Sequence, residues 1–368
     1  MASGLSLGAM ARETNYDKGH LSRIERGLRE PGPELIALYE LLAARDGTVP
    51  VPAAAPLAEL GERDRAEAAA GFEISFEQYK TMGREMPAGL VLPALIGLVE
   101  SIRMTARAGS RPDRRLLRQA ARVAEYTGWM AQEAGDPAAS LHWTGEAAEL
   151  AAFADYRDLH AYAWVRRAEL ELYAGRAPMV ITLAERAHAD SRVHPRVRAL
   201  AAQRAGQGHA VLGDAVRCLG ALDQADRLWD SADEPLPFGP ATMSDPRRFV
   251  RGWCWFDLGR SDRAVEELSA ATAGHRSRRS RRVRALFGTR LARAHIAAGD
   301  LREGLDVARR SFHALSSTGS ASARTEFVAL LHTLDGSASR SAAEFVAEVR
   351  AALPPSGDAA RELETGAM

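Results

Sequence analysis

The chain has 368 residues, of which 48 are Lys or Arg and 48 are Asp or Glu, so its formal net charge is zero. This balance excludes a protein that holds nucleic acid or an anionic membrane by bulk charge, and any such binding must be local. With 46% hydrophobic residues there is ample core material, and the length predicts two or more domains or one extended array.

The N-terminal residues predict two short helices joined by a tight turn. Residues 7–14 can form the first helix, and Asn15 suits the turn because Asn tolerates left-handed geometry. Asp17 can cap a second helix that ends near Arg26. In that helix the apolar residue Leu21 faces inward, and the polar residues face outward. This is the arrangement of a helix-turn-helix, whose second helix enters the DNA major groove.

The second helix also carries a specific motif. LSRIERGLREP, residues 21–31, fits the pattern (I/L)-S-R-(I/W)-E-x-G-x-R-x-P. With the segments around it, it resembles the xenobiotic-response-element (XRE) or lambda-repressor-like family. The resemblance implies a partial helix-turn-helix domain over residues 1–45.

The resemblance implies DNA contacts on and around the second helix. The residues expected toward base edges are Lys18, Gly19 and His20. Those expected near phosphates are Ser22, Arg23 and Arg29. Asn15 and Arg26 complete the expected set. Between Asn15 and Arg29 four basic residues stand against two acidic ones, so positive charge is concentrated where phosphate contact requires it.

The sequence departs from the family at its N-terminus. Members have a further helix in front, and only MASGL stands in its place, so that first helix is absent. Either the coding start lies upstream and the longer protein binds DNA, or the domain is a relic that cannot fold alone. Both alternatives stay open at this point.

A linker and a long helical region follow. The segment assigned to the linker, residues 46–71, opens with DGTVPVPAAAP, in which Pro and Gly disfavour a helix. Residues 72–353 show helical periodicity and no alternating run that would predict a sheet, so we expect an all-α chain. The tail, residues 354–368, is expected to be disordered.

A turn signal recurs through the helical region. A small residue or Leu, then Gly, then Asp or Arg, follows successive apolar helices at spacings of 40, 38, 46 and 40 residues. The glycines are Gly135, Gly175, Gly213, Gly259 and Gly299. Gly ends a helix in the left-handed conformation without a Cβ clash, so each signal predicts the turn of a helical hairpin. The break EPLPFGPATMSDP, residues 234–246, accounts for the longest spacing.

Large and small residues alternate around these turns. Aromatic or long apolar residues precede the turn, as in RGWCWFDLGR, and small residues such as Ala264 and Gly304 stand five positions after the turn glycine. This pattern resembles a tetratricopeptide-repeat (TPR) array over residues 113–317, with a period longer than the typical ~34 residues. The resemblance implies an α-solenoid of about five hairpins, with capping helices at 73–108 and 321–353.

The concave side of such an array is the expected place for a ligand. Helices that precede a turn signal usually line that side in TPR proteins. The candidates for a ligand groove are Trp129, Tyr162, Arg166, Tyr173 and Arg204. The six tryptophans are otherwise expected to fill the core of the repeats. The arginine run HRSRRSRRVR, residues 275–284, predicts a solvated loop and helix start, with a phosphate-binding or acidic-partner surface as the alternative.

Motifs for catalysis and metal binding are missing from the sequence. There is no H-E-x-x-H, G-x-S-x-G, Walker or G-x-G-x-x-G pattern, so we expect no enzyme, no catalytic residues, no metal and no cofactor. Cys218 and Cys254 form no disulfide framework. No apolar run approaches the ~20 residues of a membrane span, and the N-terminus lacks a signal peptide. We therefore expect a cytoplasmic protein without a membrane partner.

Together these segments resemble actinobacterial XRE-type regulators with TPR sensor domains. The resemblance implies a dimeric DNA-binding transcriptional regulator whose array senses a peptide or small-molecule signal or binds a protein partner. The alternative is a TPR protein-interaction scaffold with a degenerate helix-turn-helix that does not bind DNA.

Overall fold

The computed structural model describes residues 17–25, 60–108, 111–232, 234–239, 245–273, 281–335 and 337–352. The chain divides into two compact units, Met1–Ala58 and Glu59–Met368. In the first unit the described residues form one helix, α1 (Lys18–Glu25). The expected tail at 354–368 lies outside the described residues, as does the start of the linker.

The second unit is built of helices that pack in consecutive pairs, and no strand occurs within the ranges given above. The all-α, solenoid-like architecture is therefore confirmed. The helices are α2 (Glu62–Glu85), α3 (Ala88–Arg107), α4 (Arg114–Ala134), α5 (Pro137–Phe153), α6 (Arg157–Tyr173), α7 (Ala177–His188), α8 (Pro195–Val211), α9 (Ala215–Asp230), α10 (Arg247–Asp257), α11 (Ser261–Ala273), α12 (Arg281–Ala297), α13 (Leu301–Thr318), α14 (Ala321–Leu334) and α15 (Arg340–Ala352).

The predicted hairpin turns are confirmed. Each turn glycine lies between the two helices of one hairpin, from α4–α5 to α12–α13. Their φ angles are 84°, 72°, 74°, 71° and 91° in the order Gly135, Gly175, Gly213, Gly259 and Gly299. Since L side chains are strained at these angles, glycine is required there.

The small residues after the turns lie where helices approach closely. Ala264 is fully buried. A Cβ atom on Gly304 would lie 2.6 Å from Cγ1 of Ile296 and 3.1 Å from the carbonyl oxygen of Ala292. Because these atoms belong to the preceding helix of the same hairpin, only a residue without a side chain allows α12 and α13 to pack at this distance.

The second unit begins earlier than the sequence analysis places it. α2 starts at Glu62, so residues 62–71, assigned to the linker, are helical. The carboxylate of Asp64 accepts a hydrogen bond from the backbone N–H of Gly61 at 3.3 Å. The Ala-rich segment that follows favours a helix, and Ala69 is buried. The helix therefore has its own N-terminal signal, which the nearby prolines obscure in the sequence.

α3 corrects the expectation about apolar runs. Ala88–Arg107 is long and apolar enough, by length and composition, to cross a membrane. Gly and Pro93 interrupt its apolar residues, so no unbroken apolar run marks this helix in the sequence. In the structure Val91, Leu95 and Val99 are fully buried, and α3 packs against α2 and α4 as a core helix does.

The two ends of the array contact each other. α12 packs against α2, and α14 packs against α4. Arg282 on α12 donates hydrogen bonds to the backbone carbonyl oxygens of Gly83 and Met86. Its guanidinium also pairs with the carboxylate of Glu133 at 3.0 Å. An open solenoid contacts only neighbouring repeats, whereas this array closes through a buried ion pair.

This contact corrects the interpretation of the arginine run. Residues 275–280 lie outside the described residues, and α12 begins at Arg281. Arg281 is about half exposed and pairs with Glu85, as a solvated helix start predicts. Arg282 is only 3% exposed. Its burial follows from an interface between distant helices, which a local sequence pattern does not show.

Candidate ligand cavity

A cavity of about 110 Å³ lies inside the second unit. Its walls come mainly from α4, α6, α8, α10 and α12, which are the first helices of the five hairpins. The repeat geometry explains this arrangement, because equivalent helices of successive hairpins face the same side of the array. The closure between α12 and α2 narrows the space that an open array would leave accessible, and the cavity stays partly open to solvent.

All five groove candidates lie on the wall of this one cavity, namely Trp129, Tyr162, Arg166, Tyr173 and Arg204. Tyr162 and Arg166 are buried, and the other three are partly buried. The repeat phase was sufficient to place these residues together, because each lies on the helix that precedes a turn glycine. Their role in ligand binding stays a prediction.

Two arginines share one carboxylate on the cavity wall. Nη1 of Arg166 donates to Oε2 of Glu169 at 2.5 Å, and Nη2 of Arg204 donates to the same oxygen at 3.0 Å. Burial alone would raise the pKa of Glu169. The charges and hydrogen bonds of Arg166 and Arg204 outweigh it, and the pKa of Glu169 is lowered. Glu169 is therefore ionised at neutral pH.

Glu125 lies beside this cluster in a different protonation state. Burial raises its pKa to about 7, and the nearby charge of Arg166 and a backbone hydrogen bond from Gly239 only partly oppose this effect. Its Oε1 is 4.0 Å from Nε of Arg166, too long for a hydrogen bond. Near neutral pH a fraction of Glu125 is protonated, and in that form it is an additional O–H donor.

The cavity wall also contains buried donors with no partner among the described residues. They are Nε of Arg166, Nε2 of Gln203 and Nε of Arg204. Gln203 is 3% exposed. Buried polar groups normally have a hydrogen-bond partner, and an unpaired one costs about 1–3 kcal/mol. Three such donors on one wall are an arrangement suited to an acceptor that enters from outside the chain.

Aromatic rings form the apolar part of the wall. Successive pairs pack with ring centroids 5.3 Å apart for Tyr126 and Trp129, and 6.1 Å apart for Tyr173 and Trp253. Phe287 lies 6.4 Å from Trp253. The prediction that tryptophans fill the core holds fully for Trp143 and Trp253, which are buried. The other four, Trp129, Trp164, Trp229 and Trp255, are partly buried and pack against the core.

The segment 234–239, which we call the strap, folds against the inner wall. The ring of Phe238 packs between Tyr156 and Tyr162, at centroid distances of 5.7 and 5.4 Å. The carbonyl oxygen of Pro237 accepts a hydrogen bond from Arg122. Gly239 borders the cavity. The sequence predicts a break here, but a Pro-rich break gives no signal for the surface on which it packs.

Part of the expected DNA-binding set lies on α1. Oδ1 of Asp17 accepts hydrogen bonds from the backbone N–H groups of Gly19 and His20, which confirms the predicted cap. Leu21 is fully buried and Lys18 is exposed. Gly19 is exposed, and His20 and Ser22 are partly buried. Arg23 is on the same helix. Asn15, Arg26 and Arg29 lie outside the described residues.

The two cysteines, Cys218 and Cys254, are free and buried. Within the described ranges no group of three or more His, Cys, Asp or Glu residues could hold a metal ion. No protein-family model matches the chain. The comparison with curated proteins also gives no match. Function is therefore inferred from the cavity and from the N-terminal motif.

Proposed function

We propose that the chain is a cytoplasmic DNA-binding transcriptional regulator of the XRE type, and that its TPR-like array senses a signal molecule in the central cavity. The observation that carries the proposal is the partly enclosed cavity, whose wall contains the unpartnered buried donor atoms Nε of Arg166, Nε2 of Gln203 and Nε of Arg204. A purely structural array would be more stable with apolar residues at these positions.

The N-terminal motif supports the DNA-binding part of the proposal. α1 has an N-terminal cap, a buried Leu21 and an exposed Lys18, which suits a helix with one face on a small core and the other toward DNA. The motif at residues 21–31 supplies further basic side chains. Phosphate contacts by such residues control affinity.

The mechanism that follows is a shift between two curvatures of the array in a homodimer. A ligand that binds one curvature better increases the population of that state. Two recognition helices must reach half-sites ~34 Å apart or a multiple of that distance. A small change in curvature therefore changes whether both helices can bind at once.

Selection of genomic DNA fragments by the full chain tests the proposal. We expect wild type to enrich a palindromic site whose affinity falls steeply with salt. The double variant Lys18→Ala/Arg23→Ala should weaken binding at least tenfold, because it removes one expected base-edge contact, worth about 1–3 kcal/mol, and one expected phosphate contact. Loss of the phosphate contact should also reduce the log–log salt slope by ~0.9. Arg63→Ala is the matched control, since Arg63 is 90% exposed in the second unit. If wild type enriches no site, DNA binding by this chain is refuted.

A protein-interaction scaffold is the second candidate. Its support is a group of exposed apolar side chains around the α8–α9 turn, Val211, Leu212 and Val216, of which Val216 is 84% exposed. Contiguous exposed apolar surface often marks a protein-binding site. A chain that enriches no DNA site but loses a protein partner on Val216→Asp substitution would favour this alternative.

A further inference from the structure

The unpartnered groups of the cavity all have the same hydrogen-bonding character. Nε of Arg166, Nε of Arg204 and Nε2 of Gln203 are N–H donors, and no buried acceptor without a partner belongs to a described wall residue. A ligand that satisfies them must supply acceptors. Two of the three donors are guanidinium groups, which bind a carboxylate more strongly than a neutral carbonyl.

The size and the walls of the cavity restrict the rest of the ligand. About 110 Å³ is somewhat smaller than an engineered protein cavity of ~150 Å³ that binds benzene. Aromatic rings line it, among them Trp129, Tyr162 and Trp253. Such walls favour a planar ring by offset or edge-to-face packing. The cavity is partly open to solvent, so a single ring with one short substituent can occupy it and extend partly beyond this space.

We propose that the cavity binds a small aromatic carboxylic acid, whose carboxylate accepts hydrogen bonds from Arg166, Gln203 and Arg204 and whose ring packs on the aromatic walls. The inference rests on the proposed function only in taking the cavity to be the ligand site, and it does not require DNA binding.

The charges around the donors support an anionic ligand. Arg166 and Arg204 carry two positive charges, and Glu169 carries one negative charge. Glu125 adds a second negative charge only as pH rises through about 7, because burial raises its pKa. Lys80 on α2 adds a more distant positive charge at Glu125. In neutral or mildly acidic solution the cluster therefore has a positive excess, which a carboxylate neutralises.

The strap favours a small molecule over a peptide. Phe238 occupies the inner surface between Tyr156 and Tyr162, and Gly239 borders the cavity. An extended peptide along the inner surface would have to displace these contacts. The carboxylate at a peptide C-terminus has the same acceptor chemistry, so a peptide probe belongs in the test.

The test is calorimetric titration of the full chain with four probes, namely benzoate, benzamide, benzylamine and the tripeptide Gly-Gly-Phe. We expect benzoate to bind at least tenfold more tightly than benzylamine, which has the same ring but a cationic donor. Benzamide should fall between them, and the tripeptide should bind more weakly than benzoate. The probe series needs no substitution and therefore stays decisive if a variant fails to fold.

Two variants locate the binding. Gln203→Met removes one hydrogen-bond donor while the side-chain volume stays similar, and it should weaken benzoate binding about tenfold. Gln224→Met is the matched control, because Gln224 lies on α9 with an exposed side chain that contacts His188. Benzylamine or Gly-Gly-Phe binding more tightly than benzoate would overturn the inference. An unchanged benzoate affinity in folded Gln203→Met would also overturn it. The same holds if wild type binds no benzoate at about 10 mM, the range of weak fragment affinities.

The titration is independent of DNA. Benzoate binding by a chain that enriches no DNA site would support this inference and refute the regulator. A chain that enriches a DNA site but binds no benzoate would support the regulator and overturn this inference.

Discussion

Replacing Arg282 with Met is expected to destabilise the protein by about 3–5 kcal/mol, the cost typical of breaking a buried ion pair by removing one partner. Arg282 is 3% exposed and its partner Glu133 is 4% exposed. Among the described residues, the substitution leaves the carboxylate of Glu133 with the hydroxyl of Ser320 as its hydrogen-bond donor. It also leaves the carbonyl oxygens of Gly83 and Met86 without their guanidinium donor.

Urea unfolding measures this effect, and the neighbouring residue supplies the control. Arg281 precedes Arg282 on α12, but its pair with Glu85 is about half exposed on both sides. Arg281→Met should therefore cost less than about 1 kcal/mol. The double variant Arg282→Met/Glu133→Gln should recover part of the loss, because no buried charge is left unpaired. Equal effects of the two single Arg variants would show that the array does not close through Arg282.

Replacing Glu125 with Gln is expected to increase stability at high pH relative to wild type. In the folded state the pKa of Glu125 is raised from 4.5 to about 7 by burial. Between these values the folded protein binds more protons than the unfolded chain, so stability falls as pH rises. The full loss is about 3 kcal/mol at 1.36 kcal/mol per pKa unit. Gln retains the shape of the protonated acid and does not titrate.

Urea unfolding of wild type and Glu125→Gln at pH 5 and pH 8 tests this prediction. From pH 5 to pH 8, the free energy of unfolding of Glu125→Gln should rise relative to that of wild type by up to about 3 kcal/mol. The control is Glu67→Gln on α2, because its carboxylate is exposed and its ion pair with Arg63, one turn earlier, is exposed on both sides. Its pH profile should run parallel to that of wild type. If the stability of Glu125→Gln and that of wild type change with pH in parallel, burial does not raise the pKa of Glu125 in the folded protein.

The regular part of the fold was predictable because it repeats a local signal. A glycine such as Gly175 or Gly299 is needed wherever a helix ends in the left-handed conformation, so the hairpins and their phase follow from glycine positions. The phase in turn placed Trp129, Tyr162 and Arg204 on the same side of the array, and all three lie on one cavity wall.

The irregular part depends on contacts between distant segments. Arg282 pairs with Glu133 across 149 residues of sequence, and the residues around it resemble a solvated basic run. The strap packs Phe238 on α6, although its own sequence specifies only that a helix is broken. Gln203 was missed because a single Gln in a helix has no distinguishing signal until its burial and missing partner are known.

A single titration measures whether ligand binding in the cavity changes DNA binding. The affinity for the best enriched DNA fragment is measured by fluorescence anisotropy with and without saturating benzoate, in wild type and in Gln203→Met. We predict that bound benzoate changes the DNA affinity of wild type at least about fivefold, the lower end of typical allosteric coupling, and that of the variant much less. Equal DNA affinity with and without bound benzoate in wild type would contradict it.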